Sequence, residues 1–200
     1  MHIVMKKVFS VLLITATFLT SLAQTKSDTS THLTFKGVPI TGTLVEYVAK
    51  MKKNGFTHIG TEDGIALLEG EFATYKGCVV GVSTLKQKDL VSKIAVIFPE
   101  RKTWSSLLSN YVNLKELLTE KYGQPTESVE EFQGYTPEDD GSKFTHVLLG
   151  ACNYYTTYET ERGTIQLAIE HDGGSKCFVK LAYFDRINSE VIKKQALDDL

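Results

Sequence analysis

The chain has 200 residues, of which 42% are hydrophobic and 23% are charged, and its formal net charge is −2 at pH 7. This length and apolar content predict one globular domain with a sizeable core. The slightly acidic balance argues against an electrostatic footprint for nucleic acid or for an anionic membrane surface.

The N-terminal segment has the three zones of a secretory signal peptide. Lys6 and Lys7 precede an apolar run over 8–22, and a small-x-small sequence ends at Ala23. We predict cleavage between Ala23 and Gln24, which gives a periplasmic or secreted protein. The run is too short for a membrane span, and we expect none in the mature chain. Without the two lysines, 20 basic and 24 acidic residues remain, a charge of −4.

The mature chain is predicted to have a polar linker, 24–31, and a single domain, 32–200, in halves of about 32–99 and 100–200. The first half opens with a short strand at 32–36. A helix then begins at Thr43, because Thr43 and Glu46 have the spacing of a capping box. Gly55 is expected to end this helix.

Short β-rich runs follow at 65–72, 78–84 and 91–98. Tyr75-Lys76-Gly77 is typical of a tight hairpin turn in which Gly77 adopts a positive φ. Alternation along the second run places Cys78, Val80 and Val82 on its core side.

The second half begins with a longer helix that Thr103 caps and that Gly123 and Pro125 end. Its apolar stripe consists of Leu107, Leu108, Tyr111, Leu114, Leu117, Leu118 and Tyr122. This spacing predicts that one side of the helix is buried against the sheet.

Residues 127–141 are polar and predict a strand edge followed by an exposed loop that includes Glu138-Asp139-Asp140. Strand-like runs follow at 144–158, 164–171 and 176–184, and Asn188 is expected to cap a last short helix. A helix followed by a β-meander therefore occurs twice. We predict an α+β fold with an antiparallel sheet and two long helices on one face, built as a doubled helix-plus-β-meander unit.

The three cysteines, Cys78, Cys152 and Cys177, are predicted to be free thiols. In a meander, Cys152 and Cys177 lie on strands separated by a third strand, about 9.5 Å apart, which exceeds the disulfide limit of about 7 Å. Pairing Leu167 with Leu181 and Ile169 with Val179 places the two cysteines on opposite faces. We therefore predict no disulfide.

Residues for catalysis or metal binding do not form a recognisable motif. The four histidines outside the signal peptide lack the spacing of a metal pair, and no P-loop, dinucleotide fingerprint or nucleophile elbow is present. These histidines are His32, His58, His146 and His171. We predict no catalytic residue, no metal site and no cofactor.

Tyr154 and Tyr158 share one face of a predicted strand. If that face is exposed, Tyr154, Thr156 and Tyr158 form a flat platform for a partner protein or a glycan. The alternative is cross-strand packing within the sheet.

Several short motifs of the mature chain resemble those of a family of small exported proteins of unknown function from gut Bacteroidetes. They are Phe35-Lys36-Gly37-Val38-Pro39-Ile40, Gly42-Thr43, Gly55-Phe56, Phe98-Pro99, Trp104, Lys121-Tyr122-Gly123-Gln124-Pro125, Tyr183-Phe184-Asp185 and Asn188. The resemblance implies export and gives no catalytic residue. The doubled layout is also similar to that of β-lactamase-inhibitor-like proteins, at the level of the fold alone.

The leading functional hypothesis is an exported, non-enzymatic binding or protein-interaction module that uses the sheet face without helices. One alternative is a hydrolase-like enzyme whose site is dispersed in sequence, with Glu170, Asp172 and His146 as candidates. Another is a small-molecule carrier with an apolar cavity between helices and sheet.

Overall fold

The computed structural model describes residues 31–85, 88–198 and 200. The signal peptide at 1–23 and the linker as far as residue 30 lie outside these residues. The described chain is an α+β fold with an antiparallel eight-stranded sheet and four helices, so this part of the fold prediction is confirmed. None of the described helices has the length and apolar content needed to cross a membrane.

The elements follow one another with short connections. They are β1 (Thr34–Phe35), β2 (Val38–Pro39), α1 (Leu44–Lys53), β3 (Thr57–Glu62), β4 (Ile65–Phe72), β5 (Tyr75–Leu85), β6 (Lys88–Ile97), α2 (Trp104–Tyr122), β7 (Glu127–Phe132), α3 (Asp140–Leu148), β8 (Cys152–Thr160), β9 (Gly163–His171), β10 (Cys177–Asp185) and α4 (Arg186–Asp198). β1 and β2 pair as a separate hairpin, and the large sheet has the order β3-β4-β5-β6-β10-β9-β8-β7.

The sheet has two faces that differ in burial. A row of paired residues, each at most 1% exposed, defines the covered face: Leu68, Val80, Val96, Leu181, Leu167 and Thr156. The neighbouring row defines the outer face: Leu67, Gly81, Ala95, Ala182, Gln166 and Thr157. α1 contacts β3 to β6, and α2 contacts β8, β9 and β10. That both helices share one face, and that the unit is doubled, stay predictions.

Two of the three predicted helix starts are confirmed. Thr43 and Glu46 form the capping box of α1, and Thr103 accepts a hydrogen bond from the Ser106 backbone N–H at the start of α2. Tyr47 of α1 is fully buried. Leu117 was expected in the buried stripe of α2 but is 52% exposed, because it lies about 100° around the helix from the buried Leu118.

The predicted turn at Tyr75-Lys76-Gly77 is two residues too late. Phe72 pairs with Tyr75, so the loop consists of Ala73 and Thr74, both with positive φ, as a two-residue hairpin turn requires. Gly77 does have a positive φ, of 70°. It lies inside β5, opposite the part of β4 where the register shifts between Gly70 and Phe72.

Three elements were not predicted, namely the two-residue strand β2, the strand β3 and the helix α3. β3 is an edge strand whose residues are almost all exposed, so it lacks an apolar alternation. α3 occupies the start of the run predicted as a strand over 144–158. Asp139 caps α3 by accepting from the Ser142 backbone N–H at 2.8 Å, and Gly150, with a φ of 70°, separates the helix from β8.

Asn188 was predicted to cap α4, but the structure shows a different role for its side chain. The carboxylate of Asp185 accepts from the Asn188 backbone N–H at 2.9 Å and from the Leu33 backbone N–H at 2.7 Å. The Asn188 side chain instead donates to the carbonyl oxygens of Ile40, at 2.9 Å, and Val91, at 2.7 Å. These buried contacts join the start of α4 to the N-terminal hairpin and to β6.

Candidate binding surface on the outer face of the sheet

The three residues predicted to form an exposed platform lie on the covered face. Thr156 is 0% exposed and Tyr158 is 1% exposed, and Tyr154 is partly buried against the core. The condition for the platform, that this side of the strand is exposed, is therefore not met, and the alternative, in which these side chains are packed inside the fold, describes the structure. Tyr155 is on the other side, where its hydroxyl donates to Glu127 Oε1 at 2.7 Å.

The contacts of these residues attach β8 to α2. Thr156 Oγ1 lies 2.5 Å from the hydroxyl of Tyr111. The hydroxyl of Tyr158 lies 2.9 Å from Thr119 Oγ1 and donates to a backbone carbonyl of α2 at 3.1 Å. The ring of Tyr154 meets Trp104 edge-on with centroids 5.0 Å apart. The platform residues thus pack the helix onto the sheet.

A signal for this orientation exists in the next strand. β8 and β9 form a hairpin in which Tyr158 pairs with Ile165 and Thr156 pairs with Leu167. Paired residues lie on the same face of a sheet, and β9 alternates apolar residues at 165, 167 and 169. Pairing outward from Gly163 would have assigned Tyr158 to the core.

The residues of the hydrolase-like alternative are not brought together. Glu170 forms a salt bridge with Lys180. Asp172 accepts from the Gly174 backbone N–H at 2.9 Å, and this bond is the main reason that its pKa lies below the ordinary value. His146 Nδ1 donates to the Ser142 carbonyl at 2.8 Å. Each group therefore has its own structural partner.

The acidic sequence at 138–140 belongs to helix starts rather than to an exposed loop. Asp139 caps α3, and its hydrogen bonds to Ser142 lower its pKa. The Asp140 carboxylate accepts from the backbone N–H groups of Trp104, at 3.1 Å, and Ser105, at 2.6 Å. A carboxylate at this position stabilises the N-terminus of α2.

The cysteines are free, but two of them are not on opposite faces. Leu167 pairs with Leu181, as expected. Cys177 alternates with Leu181, and Cys152 alternates with Thr156, so both thiols are on the covered face with β9 between them. The opposite-face prediction is wrong because it places Cys152 opposite Glu170, whereas the observed pairing of Tyr155 with Ala168 shifts the β8–β9 register by one residue. About 9.5 Å still separates such strands.

Burial suppresses the reactivity of these thiols. It raises the pKa of Cys152 to about 12 and that of Cys177 to about 11, and a protonated thiol is neither a nucleophile nor a metal ligand. Within the part of the chain that the structure describes, no three histidine, cysteine or acidic side chains are grouped as a metal site would need.

An apolar region lies on the outer face of β4 and β5. Ile65 and Leu67 are 40% and 39% exposed. A Cβ at Gly81 would lie 3.7 Å from Ile65 Cγ2 and 4.0 Å from Leu67 Cδ2, so these two side chains flank the bare backbone of Gly81. Ala95 continues the row on β6. We call Ile65, Leu67, Gly81 and Ala95 the apolar strip.

A cluster of charged residues lies beside the apolar strip, on β6, β9 and β10. Lys180 pairs with Glu170, and Lys93 Nζ lies 4.8 Å from the centre of the Phe184 ring. Burial, and then the charge of Lys180, lowers the pKa of Lys93, which Glu170 offsets in part. The cluster therefore contains two ammonium groups and one carboxylate. We call Lys93, Lys180, Glu170 and Phe184 the charged cluster.

One end of the outer face lies against α4. Arg186, Ser189, Glu190 and Lys193 line a shallow cleft of about 200 Å³ together with Thr164 and Phe184, among other residues. Thr164 and Phe184 pair across β9 and β10 on the outer face. The expectation of an outer face without helices is therefore wrong at this end.

Sequence reasoning missed both the apolar strip and the charged cluster. It used alternation to assign a core side only in the run at 78–84, and it assigned no sides in the neighbouring runs at 65–72 and 91–98. Ile65, Leu67 and Ile97 lie in those neighbouring runs. Apolar residues on the second face of a strand were the available signal, because a simple solvated face is polar.

Comparisons with protein-family models, with curated proteins and with solved structures give no match to this chain. The family resemblance of its motifs therefore stays a prediction.

Proposed function

We propose that this protein is an exported, non-enzymatic interaction module that binds a partner protein through the outer face of its sheet. The observation that carries the proposal is the apolar strip, in which Ile65 and Leu67 are 40% and 39% exposed beside the charged cluster, where burial lowers the pKa of Lys93. Exposed apolar area bordered by charged side chains is typical of protein-binding surfaces.

The shape of the strip favours a protein partner over a glycan. Gly81 and Ala95 leave the backbone accessible between Ile65 and Leu67 on one side and the charged cluster on the other. A flat apolar surface of this kind suits the packed core of a protein interface. Sugar stacking uses exposed aromatic faces, whereas the Phe184 ring already has Lys93 beside it.

The proposal includes the doubled architecture, with α1 and α2 on one face. Its support is the strand order. The strands β3 to β6 follow one another inward from one edge of the sheet, the strands β7 to β10 follow one another inward from the other edge, and the two series meet at β6 and β10. A helix precedes each series, and each helix contacts strands of its own series. Such a layout would leave the second face free of α1 and α2, with α4 at one end of it.

Export is the third part of the proposal. It is supported by the sequence of 1–23, which has the zones of a secretory signal, and by the motifs that resemble an exported family. Mass spectrometry of the protein from its native host tests this part. A mature N-terminus at Gln24 is expected, and an intact N-terminal segment would contradict export.

Substitution of the apolar strip tests the binding surface. Leu67→Glu places a charge in the strip, and Leu117→Glu, on α2 and 52% exposed, is the matched control. Native-host extract is passed over each immobilised variant, and captured proteins are cross-linked and mapped. We expect Leu67→Glu to lose a partner that Leu117→Glu and the unchanged protein retain, with cross-links at Lys93 or Lys180. Equal capture by both variants would exclude this face.

A further inference from the structure

A basic cleft lies where the segment after β6 meets the turn between β9 and β10. It is separate from the apolar strip. Its volume is about 290 Å³. The cleft is lined by Glu100, Arg101, Lys102, Phe144, Ser175 and Lys176. Three cationic side chains and one carboxylate therefore share it.

Arg101 is the central group of this cleft. Its Nε is buried and has no hydrogen-bond partner among the described residues. Its guanidinium lies 6.0 Å from the centre of the Tyr75 ring. A buried charged donor without an acceptor is destabilising, so binding of an anion that interacts with the Arg101 guanidinium would be favoured.

The backbone holds Arg101 close to Lys176, and both residues line the cleft. The Arg101 backbone N–H donates to the Cys177 carbonyl at 2.9 Å, which places Arg101 beside the end of the β9–β10 turn. Asp172 fixes that turn by accepting from the Gly174 and Lys176 backbone N–H groups, at 2.9 Å and 3.2 Å. The two cations are thus held near each other before any ligand binds.

The carboxylates near the cleft offset its positive charge only in part. Neither Arg101 nor Lys102 nor Lys176 forms a salt bridge with any described residue. Asp172 accepts hydrogen bonds from the turn and lies close enough to Lys176 for the lysine charge to lower the pKa of Asp172. The lining residues comprise three cations and the carboxylate of Glu100, so a net positive charge remains.

We propose that this cleft binds a phosphate-type oxyanion, with Arg101 as the fork that donates hydrogen bonds and with Lys102, Lys176 and the Ser175 hydroxyl around it. Guanidinium groups bind phosphate oxygens through two parallel hydrogen bonds, and no hydrogen bond or ion pair among the described residues occupies the Arg101 guanidinium. The ligand is either free phosphate or a phosphoryl group carried by a larger molecule, since the cleft is open to solvent.

Nuclear magnetic resonance of the arginine side chains tests this site directly. Inorganic phosphate and methyl phosphate are titrated separately into the purified mature protein, with sodium chloride added to keep the ionic strength constant. We expect a saturable shift of the Arg101 Nε–H resonance with phosphate. Tighter binding of methyl phosphate would indicate an attached phosphoryl group, and tighter binding of inorganic phosphate would indicate the free ion.

Three variants make the test specific. Lys176→Gln is expected to weaken phosphate binding about fivefold, the effect of losing about 1 kcal/mol from one exposed charge, while Lys52→Gln on α1 leaves it unchanged. Arg101→Lys keeps the charge but loses the fork and is expected to weaken binding further. A shift that does not saturate, or that sodium chloride alone reproduces, would overturn the proposal. So would equal binding by the Lys176 and Lys52 variants.

Discussion

The hydroxyl of Tyr111, on α2, lies 2.5 Å from Thr156 Oγ1, on β8, and both residues are fully buried. From Thr156 the hydrogen bonds continue to Ser128 Oγ, at 3.1 Å, and from there to Lys115 Nζ, at 2.9 Å. Tyr47 of α1 is equally buried, but its hydroxyl has no partner among the described residues.

These two tyrosines are expected to respond differently to loss of the hydroxyl. Tyr111→Phe leaves Thr156 without its shortest bond and should lower the free energy of unfolding by about 1–2 kcal/mol. Tyr47→Phe removes an unpaired buried hydroxyl and should leave stability unchanged or raise it. Urea unfolding of the two variants measures the difference, and equal losses would contradict it.

Two buried asparagines form a second matched pair. Asn110 and Asn188 are each 3% exposed, but both amide atoms of Asn110 are unpartnered among the described residues, whereas Asn188 donates to Ile40 and Val91. Leucine has nearly the same shape as asparagine. Asn110→Leu should raise the melting temperature, and Asn188→Leu should lower the free energy of unfolding by about 2 kcal/mol or more, because two buried carbonyls lose their donor. A destabilised Asn110→Leu would show that its amide is satisfied.

Asp185 is expected to control the order of the N-terminal hairpin. Its carboxylate accepts from the Leu33 backbone N–H and contacts His32 Nδ1 at 2.9 Å. Asp185→Ala removes both contacts, so amide hydrogen exchange at Leu33 should become faster. Ser189→Ala removes a single hydroxyl bond to the Asp185 carbonyl, of 2.6 Å, and serves as the control. Unchanged exchange at Leu33 in the Asp185 variant would exclude this role.

Stability is expected to fall at alkaline pH. The pKa of Cys152 rises from 9.0 to about 12, and that of Tyr111 rises from 10.0 to about 12, in both cases chiefly through burial. Above about pH 9 the unfolded chain therefore loses protons that the folded chain keeps, and the free energy of unfolding decreases as pH rises toward 12. Urea unfolding in reductant at pH 8, 9 and 10 measures the slope. Cys152→Ala should flatten it, and a slope that the variant leaves unchanged would count against this cause.

Local signals in the sequence predicted the helix caps and most strands. Thr43 with Glu46, Thr103 and Gly123 act through neighbours within one turn, so their roles depend little on the rest of the fold. The buried alternation of Cys78, Val80 and Val82 is similarly local.

The errors concern residues whose partners are distant in sequence. The hydroxyls of Tyr158 and Thr156 are tolerated in the core because α2, about 40 residues earlier, supplies hydrogen-bond partners, and alternation alone cannot show this. Asp140 likewise acts on Trp104, 36 residues earlier. The apolar strip was missed for a different reason, since no side was assigned to Ile65 and Leu67 within the run at 65–72.

The position of β10 in the middle of the sheet has a consequence for synthesis. When β6 leaves the ribosome, about 80 residues separate it from β10, the strand that will cover its open edge. Until then the β3–β6 ribbon presents a bare row of N–H and C=O groups, which invites pairing with other chains. Nascent chains stalled before residue 177 should therefore depend on chaperones far more than the finished molecule does.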